Sequence, residues 1–288
     1  MAEAGRPTEV SRETANGRQA RTAPSAVAFR DIAIEFQTPS RGLHLAVTDI
    51  TIEVPEGRFV AIVGPSGCGK STLLNAAAGL LIPSRGHVEI FGKPLEGLNS
   101  HATYLFQQDA LLPWRSVLDN VLLGPLFQGM KRREAEALAQ QWLLRVGLAG
   151  FADRFPHQLS GGMRKRVAIA QTWIVDPQIL LMDEPFSALD VQVRQMMETE
   201  LLTLWQGSNK TVLFVTHDLE EAIALADEVV VLSAGPGRLK GVYEVPLSRP
   251  RDVAEIRLDP TFDRLYRAIW DDLRDEVRRQ YEQQEKLA

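Results

Sequence analysis

Residues 59–72 read FVAIVGPSGCGKST. The first five are apolar without interruption, and Pro55, Glu56 and Gly57 supply a turn just before them, so the run predicts a strand buried on both faces. It passes directly into GPSGCGKS, Gly64 to Ser71, which fits G-x-x-x-x-G-K-[ST], and the residues from Lys70 onward read as a helix. A buried strand, a glycine-rich turn and a helix in immediate succession commit this part of the chain to an α/β layer.

The rest of the chain repeats that alternation. Short apolar runs recur at HVEIF, ATYLF, QILLMD, TVLFVT and EVVVL, and strands alternating with helices predict a core with a mainly parallel sheet. Upstream, AVAFRDIAIEF and LAVTDITIEV alternate or cluster their apolar residues as strands do. Between ATYLF and QILLMD, Ala135, Leu138, Ala139, Trp142 and Val146 share one helix face with Gly147 as C-cap, so a helical insertion is expected over about residues 107–170. After Leu232 the loop SAGPGR precedes a strand-like VYEVPL, and beyond Pro260 the residues Phe262, Leu265, Tyr266, Ile269 and Leu273 mark an amphipathic helix. Residues 1–26 mix Arg and Glu without an apolar stretch and read as a disordered tail rather than a leader. No stretch reaches the ~18 consecutive apolar residues of a spanning helix, so any membrane involved is expected to be crossed by another chain.

The residue types in the turn fit a phosphate. Gly64, Gly67 and Gly69 let the backbone curl until successive amides point inward, with Pro65, Ser66 and Cys68 between them, and the helix N-terminus adds its positive end. Lys70 brings a mobile charge to the β- and γ-phosphates, Ser71 a hydroxyl for Mg²⁺, and Thr72 a further contact at the α-phosphate. Cys68 is the single cysteine, so no internal disulfide forms and a reducing compartment suits the chain; alkylating it is expected to block nucleotide. The net charge of -5 gives no basic surplus for a nucleic-acid backbone, so nucleotide binding must rest on local geometry.

Two more strand ends carry chemistry. Asp183 and Glu184 close the apolar run of QILLMD. Two acids after a strand mean little alone, but downstream of a phosphate loop Asp183 would hold Mg²⁺ and Glu184 would polarise an attacking water as general base. His217 follows TVLFVT and would contact a γ-phosphate, with a purely structural histidine as the alternative.

LSGGM at 159–163, FQQ at 106–108, DEP at 183–185, SALD at 187–190 and THD at 216–218 occur in this order, and with the phosphate loop they strongly resemble the ABC ATPase cassette over about residues 27–240. The resemblance implies an α/β P-loop NTPase core with an N-terminal antiparallel β part and an inserted helical subdomain, followed by a C-terminal strand and amphipathic helix over 241–288. It implies ATP and Mg²⁺ as cofactors. Ser160, Gly161 and Gly162 match the signature motif, which in this family faces the γ-phosphate bound by the other copy, so hydrolysis is expected to need a dimer of the chain with two ATP molecules sandwiched. Gln107 matches the glutamine that reaches Mg²⁺ or the lytic water, with Gln108 the neighbouring alternative. Phe36 matches the aromatic that stacks on adenine, a strand-core role being the other reading. Met163 departs from the usual glutamine of the signature.

Asp183 follows Lys70 by 113 positions, which leaves no room for the long coiled coil of ABC-type DNA-repair proteins. The stretches FQQDALLPWRSVLDNV, LSGGMRKRVAIAQ and VVVLSAGPGR resemble the nitrate, sulfonate, taurine and bicarbonate importer subgroup. That implies a bacterial importer ATPase for a small anionic solute, on the cytoplasmic face of the inner membrane. Separate transmembrane permease subunits would be direct partners and a periplasmic solute-binding protein an indirect one. Leu111, Leu112, Pro113 and Trp114 lie where the family docks its permease, or else in the helical core. The alternative function is a soluble ABC ATPase acting on a protein or nucleic-acid complex. The acidic charge disfavours it, and nucleic acid is not an expected partner.

Overall fold

The computed structural model describes residues 12–13, 24–38 and 42–285. FVAIV forms strand β4 (Phe59–Val63), with all five residues buried. Its parallel neighbours are β10 (Glu228–Leu232) on one side and β9 (Thr211–Val215) on the other. Strands β8 (Ile179–Asp183) and β7 (Ala102–Leu105) continue the parallel run beyond β9. At the opposite edge β11 (Leu239–Glu244) pairs antiparallel with β10, and β1 (Arg12–Glu13) with β11. The sheet order is therefore β1-β11-β10-β4-β9-β8-β7.

The two-residue period of a strand divides these residues between two cores. Phe59, Ala61 and Val63 join Val212, Phe214, Leu180, Met182, Val229 and Val231 in one, which α2 (Val117–Phe127), α3 (Arg132–Arg145), α4 (Gly161–Trp173), α5 (Val191–Trp205), α6 (Leu219–Leu225) and α7 (Pro260–Glu285) cover. Val60 and Ile62 join Leu213, Val215, Ile179, Leu181, Val230 and Leu232 in the other, which α1 (Lys70–Ala77) and a second sheet cover. That second sheet is antiparallel, in the order β3 (Gly42–Pro55), β2 (Ser25–Thr38), β5 (Arg85–Ile90) and β6 (Lys93–Pro94). A strand apolar on both faces is what this two-sided cover requires.

HVEIF joins the antiparallel sheet, not the parallel one. The short connection after α1 turns back along β2, where the Ser84 amide donates to the Ala33 carbonyl at 2.8 Å, and this delivers β5 beside β2. The long strands β2 and β3 each carry one non-glycine residue at positive φ, Asp31 (48°) and Asp49 (54°), and Arg85 donates to both carboxylates. Most of the expected tail, residues 1–26, lies outside the described residues. Arg12 and Glu13 pair with Tyr243 and Val242, and Ser25 and Ala26 already belong to β2.

Helix α3 buries Ala135, Ala139, Trp142 and Leu143, and Gly147 follows it at φ 71°. Helix α7 buries Phe262, Leu265, Ile269 and Leu273. It is also fixed by Glu276, which accepts from the Ala234 amide at 2.9 Å and from Lys240 Nζ at 2.7 Å. No described helix is long and apolar enough to cross a membrane.

Phe59 packs edge-on against Trp205 (ring centroids 5.5 Å apart) and tilted against Phe214 (5.6 Å). Phe59→Ala should cost about 3–5 kcal/mol of stability through the cavity it leaves at the sheet centre. Denaturant unfolding followed by tryptophan fluorescence measures it, and a loss below about 1 kcal/mol would contradict this packing.

Candidate functional site

The carboxyl ends of β4, β9, β8 and β7 lie side by side, and each releases its chain into a segment with a reactive side chain: Gly64–Ser71 after β4, His217 after β9, Glu184 after β8 and Gln107 after β7. Open α/β sheets gather ligands at this edge.

The first loop is held open by its glycines and by distant backbone. Gly67 and Gly69 have φ of 75° and 95°. A Cβ on Gly69 would lie 2.2 Å from Val47 Cγ1, and one on Gly64 would lie 2.7 Å from Cys68 Sγ. The outer wall is Gly237, where a Cβ would come 2.0 Å from the Cys68 carbonyl oxygen. Cys68 itself is fully buried, and burial pushes its thiol up. Lys70 is 5% exposed and donates from Nζ to the carbonyls of Gly64 (2.9 Å) and Pro65 (3.1 Å). A cation held only by carbonyls, beside a helix N-terminus, favours an incoming anion.

Ser71 Oγ donates to Asp183 Oδ1 at 2.8 Å, and Tyr104 Oη donates to Asp183 Oδ2 at 3.1 Å. Burial raises the Asp183 carboxyl despite these two bonds, and burial together with the Asp183 charge raises the Tyr104 phenol. Ser71 and Asp183 form a small set of hard oxygen donors. Among the described residues no group of three or more His, Cys, Asp and Glu could cage a metal. An ion held here would take its other ligands from phosphate and water, as Mg²⁺ does. Thr72 sits half-buried in the first turn of α1.

Glu184 occupies φ 41°, a conformation costing of order 1–3 kcal/mol for a non-glycine residue. Its amide donates to the Val215 carbonyl (2.8 Å), its carbonyl accepts from Ser187 Oγ (2.9 Å), and its Oε2 lies 2.8 Å from His217 Nδ1. Gln107 Nε2 reaches Ser187 Oγ at 3.3 Å, which brings Gln107 into the cluster. The Gln107 backbone is tied to α4. Lys165, only 3% exposed, donates to the carbonyls of Phe106 (3.3 Å) and Gln107 (3.1 Å) and pairs with Asp109 (2.9 Å), which also accepts from Arg164 (3.1 Å).

The structure therefore brings Lys70, Ser71, Asp183, Glu184, His217 and Gln107 to one edge. Ser160 caps α4, its Oγ accepting from the Met163 amide at 3.3 Å. The space around Gly161 and Gly162 is bounded by Leu189, Arg164 and Val193, so this glycine pair abuts the start of α5. Phe36 stands on β2 opposite His44 and is 38% exposed. Sequence reasoning missed Tyr104, Asp109 and Lys165. Lys165 is a cation on an otherwise apolar helix face, a signal that could have found it; Gly237 lies 169 positions from Cys68 and left none.

Residues 47–187 match the ABC transporter family. An uncharacterised ABC transporter ATP-binding protein of Methanocaldococcus jannaschii is 47% identical over 232 residues, 81% of this chain and 85% of that protein. A taurine import ATP-binding protein of Rhizobium johnstonii is 45% identical over 233 residues, 80% of this chain and 88% of that protein. Among solved structures, a dimeric ATP-binding cassette in a post-hydrolysis state bound to ADP and Pi superposes with a TM-score of 0.67 at 30% identity, covering 77% of this chain and all of the other.

Lys165→Met removes the charge that anchors the Gln107 backbone and leaves the phosphate loop untouched. Nucleotide turnover should fall about tenfold while nucleotide affinity changes less than about twofold. Steady-state turnover and equilibrium binding separate the two, and an unchanged kcat would dismiss the anchoring role.

Proposed function

The chain belongs to the family of ABC transporter ATP-binding proteins, and from that membership we propose that it energises the import of a small anionic solute through separate permease subunits, working as a dimer. That it binds and hydrolyses ATP as a subunit of an importer-type system follows from the family. The solute class rests on the taurine import relative and on the importer-like stretches of the sequence. Sulfonate, taurine, nitrate and bicarbonate all fit it.

One observation carries the catalytic reading: the 2.8 Å contact of Glu184 with His217 beside the 2.8 Å contact of Ser71 with Asp183, on neighbouring strand ends. In the proposed cycle the amides of Ser66 to Ser71 receive the phosphates, with Thr72 at the α-phosphate, and Lys70 exchanges the Gly64 and Pro65 carbonyls for β- and γ-oxygens. Ser71, Asp183 and Gln107 would hold Mg²⁺, which when bound would supply neutralising charge for the phosphate oxygens. Glu184 takes the proton of the water that attacks the γ-phosphorus, the bond to the leaving ADP oxygen breaks, and His217 steadies the γ-phosphoryl oxygens. Phe36, on an accessible strand position, stacks on the adenine.

Ser160, Gly161 and Gly162 form a second glycine-rich helix start, available to the γ-phosphate held by the other copy. The dimeric relative holding ADP and Pi supports that arrangement. Leu111 is partly buried against the core while Trp114 is 72% exposed. A groove of about 390 Å³ is lined by Phe106, Ala110, Leu123 and Phe127. Phe127 is 88% exposed, and this face fits a permease segment. The dimer would sit on the cytoplasmic face of the membrane, with a periplasmic binding protein delivering solute from the other side.

Glu184→Gln should keep ATP affinity, lose at least about a hundredfold in turnover and accumulate an ATP-bound dimer in size-exclusion chromatography; turnover at the parent rate would sink the general-base role. Lys70→Ala should abolish measurable nucleotide binding by calorimetry. Retention of full ATP affinity would refute the phosphate-loop assignment.

A further inference from the structure

The C-terminal helix α7 walls one side of a cleft of about 750 Å³ that begins at the phosphate loop. Pro65, Ser66 and His217 line it, as do Val191 of α5 and Tyr266 and Trp270 of α7. Two of these apolar groups are open to solvent: Val191 is 65% exposed and Trp270 is 42% exposed. The Tyr266 and Trp270 rings stack at 6.4 Å between centroids and 13° between planes.

The wall is rigid. Four apolar residues of α7 are buried in the large core, and Glu276 pins the helix to the loop after β10 through Ala234 and Lys240. An aromatic pair held this way loses little entropy on binding. The cations at the cleft are matched within the chain. Arg194 donates to Asp218 at 3.1 Å, and Arg257 lies 3.4 Å from Glu220 and 3.7 Å from Glu198. The cleft therefore sets an exposed apolar wall beside cations that already have carboxylate partners.

We propose that this cleft is part of the interface with a second copy of the chain, so that α7 stabilises the closed dimer through Trp270, Tyr266 and Val191. The inference rests on the dimer reading above. In that proposed dimer the other copy's glycine-rich helix start reaches the γ-phosphate that His217 steadies; His217 and Ser66 line the cleft together with Tyr266 and Trp270, so a copy seated over the nucleotide site also covers the exposed aromatic wall. Two-fold symmetry places the same contact on both copies, and each truncation is felt twice.

The test uses full-length Glu184→Gln chain with ATP and Mg²⁺, with dimer dissociation followed by analytical ultracentrifugation. Adding Trp270→Ala should weaken the dimer about tenfold or more, with ATP affinity of the dilute monomer unchanged. A second measurement does not depend on that truncation. The only native cysteine, Cys68, is buried, so Trp270→Cys introduces a single accessible thiol, which should react with maleimide in nucleotide-free chain and become protected when ATP drives dimerisation. If the Glu184→Gln dimer forms but Trp270→Ala dimerises as tightly and the new thiol labels equally with and without ATP, the α7 interface is overturned while the dimer reading stands. If the Glu184→Gln chain stays monomeric with ATP, both fall together.

Discussion

Strand β4 has no exposed residue and supports the phosphate loop, and almost every other feature of the molecule serves to cover it. Apolar side chains on both its faces demand a sheet on either edge and a layer above and below. The parallel neighbours β10 and β9 satisfy the edges, the helices from α2 to α7 one face, and α1 with the antiparallel sheet the other. Because β9, β8 and β7 follow in order from β4, their carboxyl ends fall in a row beside the loop, and the reactive side chains are gathered as a by-product of core formation.

Rigidity around the loop has a second source in the close approach of Gly237 to Cys68. The loop from 233 to 238 donates and accepts along β3, with the Gly237 amide bonded to Ala46 and its carbonyl to Thr48, and Glu276 of α7 holds the same loop from behind. The phosphate loop thus rests against a chain of contacts that reaches the C-terminal helix, although Gly237, Thr48 and Glu276 are not among the groups proposed to touch the nucleotide.

Much of this was legible in the sequence because the informative residues sit at strand ends, where a buried run stops and a polar residue must follow. Asp183, Glu184 and His217 are of that kind, Lys70 and Ser71 open the helix that follows such an end, and the apolar face of α7 is legible in its spacing. Contacts that depend on which strands become neighbours were not legible. Tyr104 reaches Asp183 only because β7 lies beside β8, and HVEIF gave a strand signal that carried no information about which sheet it would join. The partners of Lys165 leave no local signal, because two are backbone carbonyls, which have no sequence identity, and the third, Asp109, lies 56 positions away. Cys68 is buried in a core cluster with Val47 of β3 and Leu73 and Leu74 of α1, a burial that its place in the loop motif does not reveal.

The strand order also dictates a history for each molecule. A ribosome delivers β4 early, yet the two strands that flank it, at 211–215 and 228–232, are translated about 150 residues later. At ordinary elongation rates of roughly 5–20 residues per second, the nascent chain spends on the order of ten seconds with its most apolar strand lacking both neighbours. Until those segments emerge, the strand that will support the phosphate loop is an unpaired edge open to mispairing or to a chaperone.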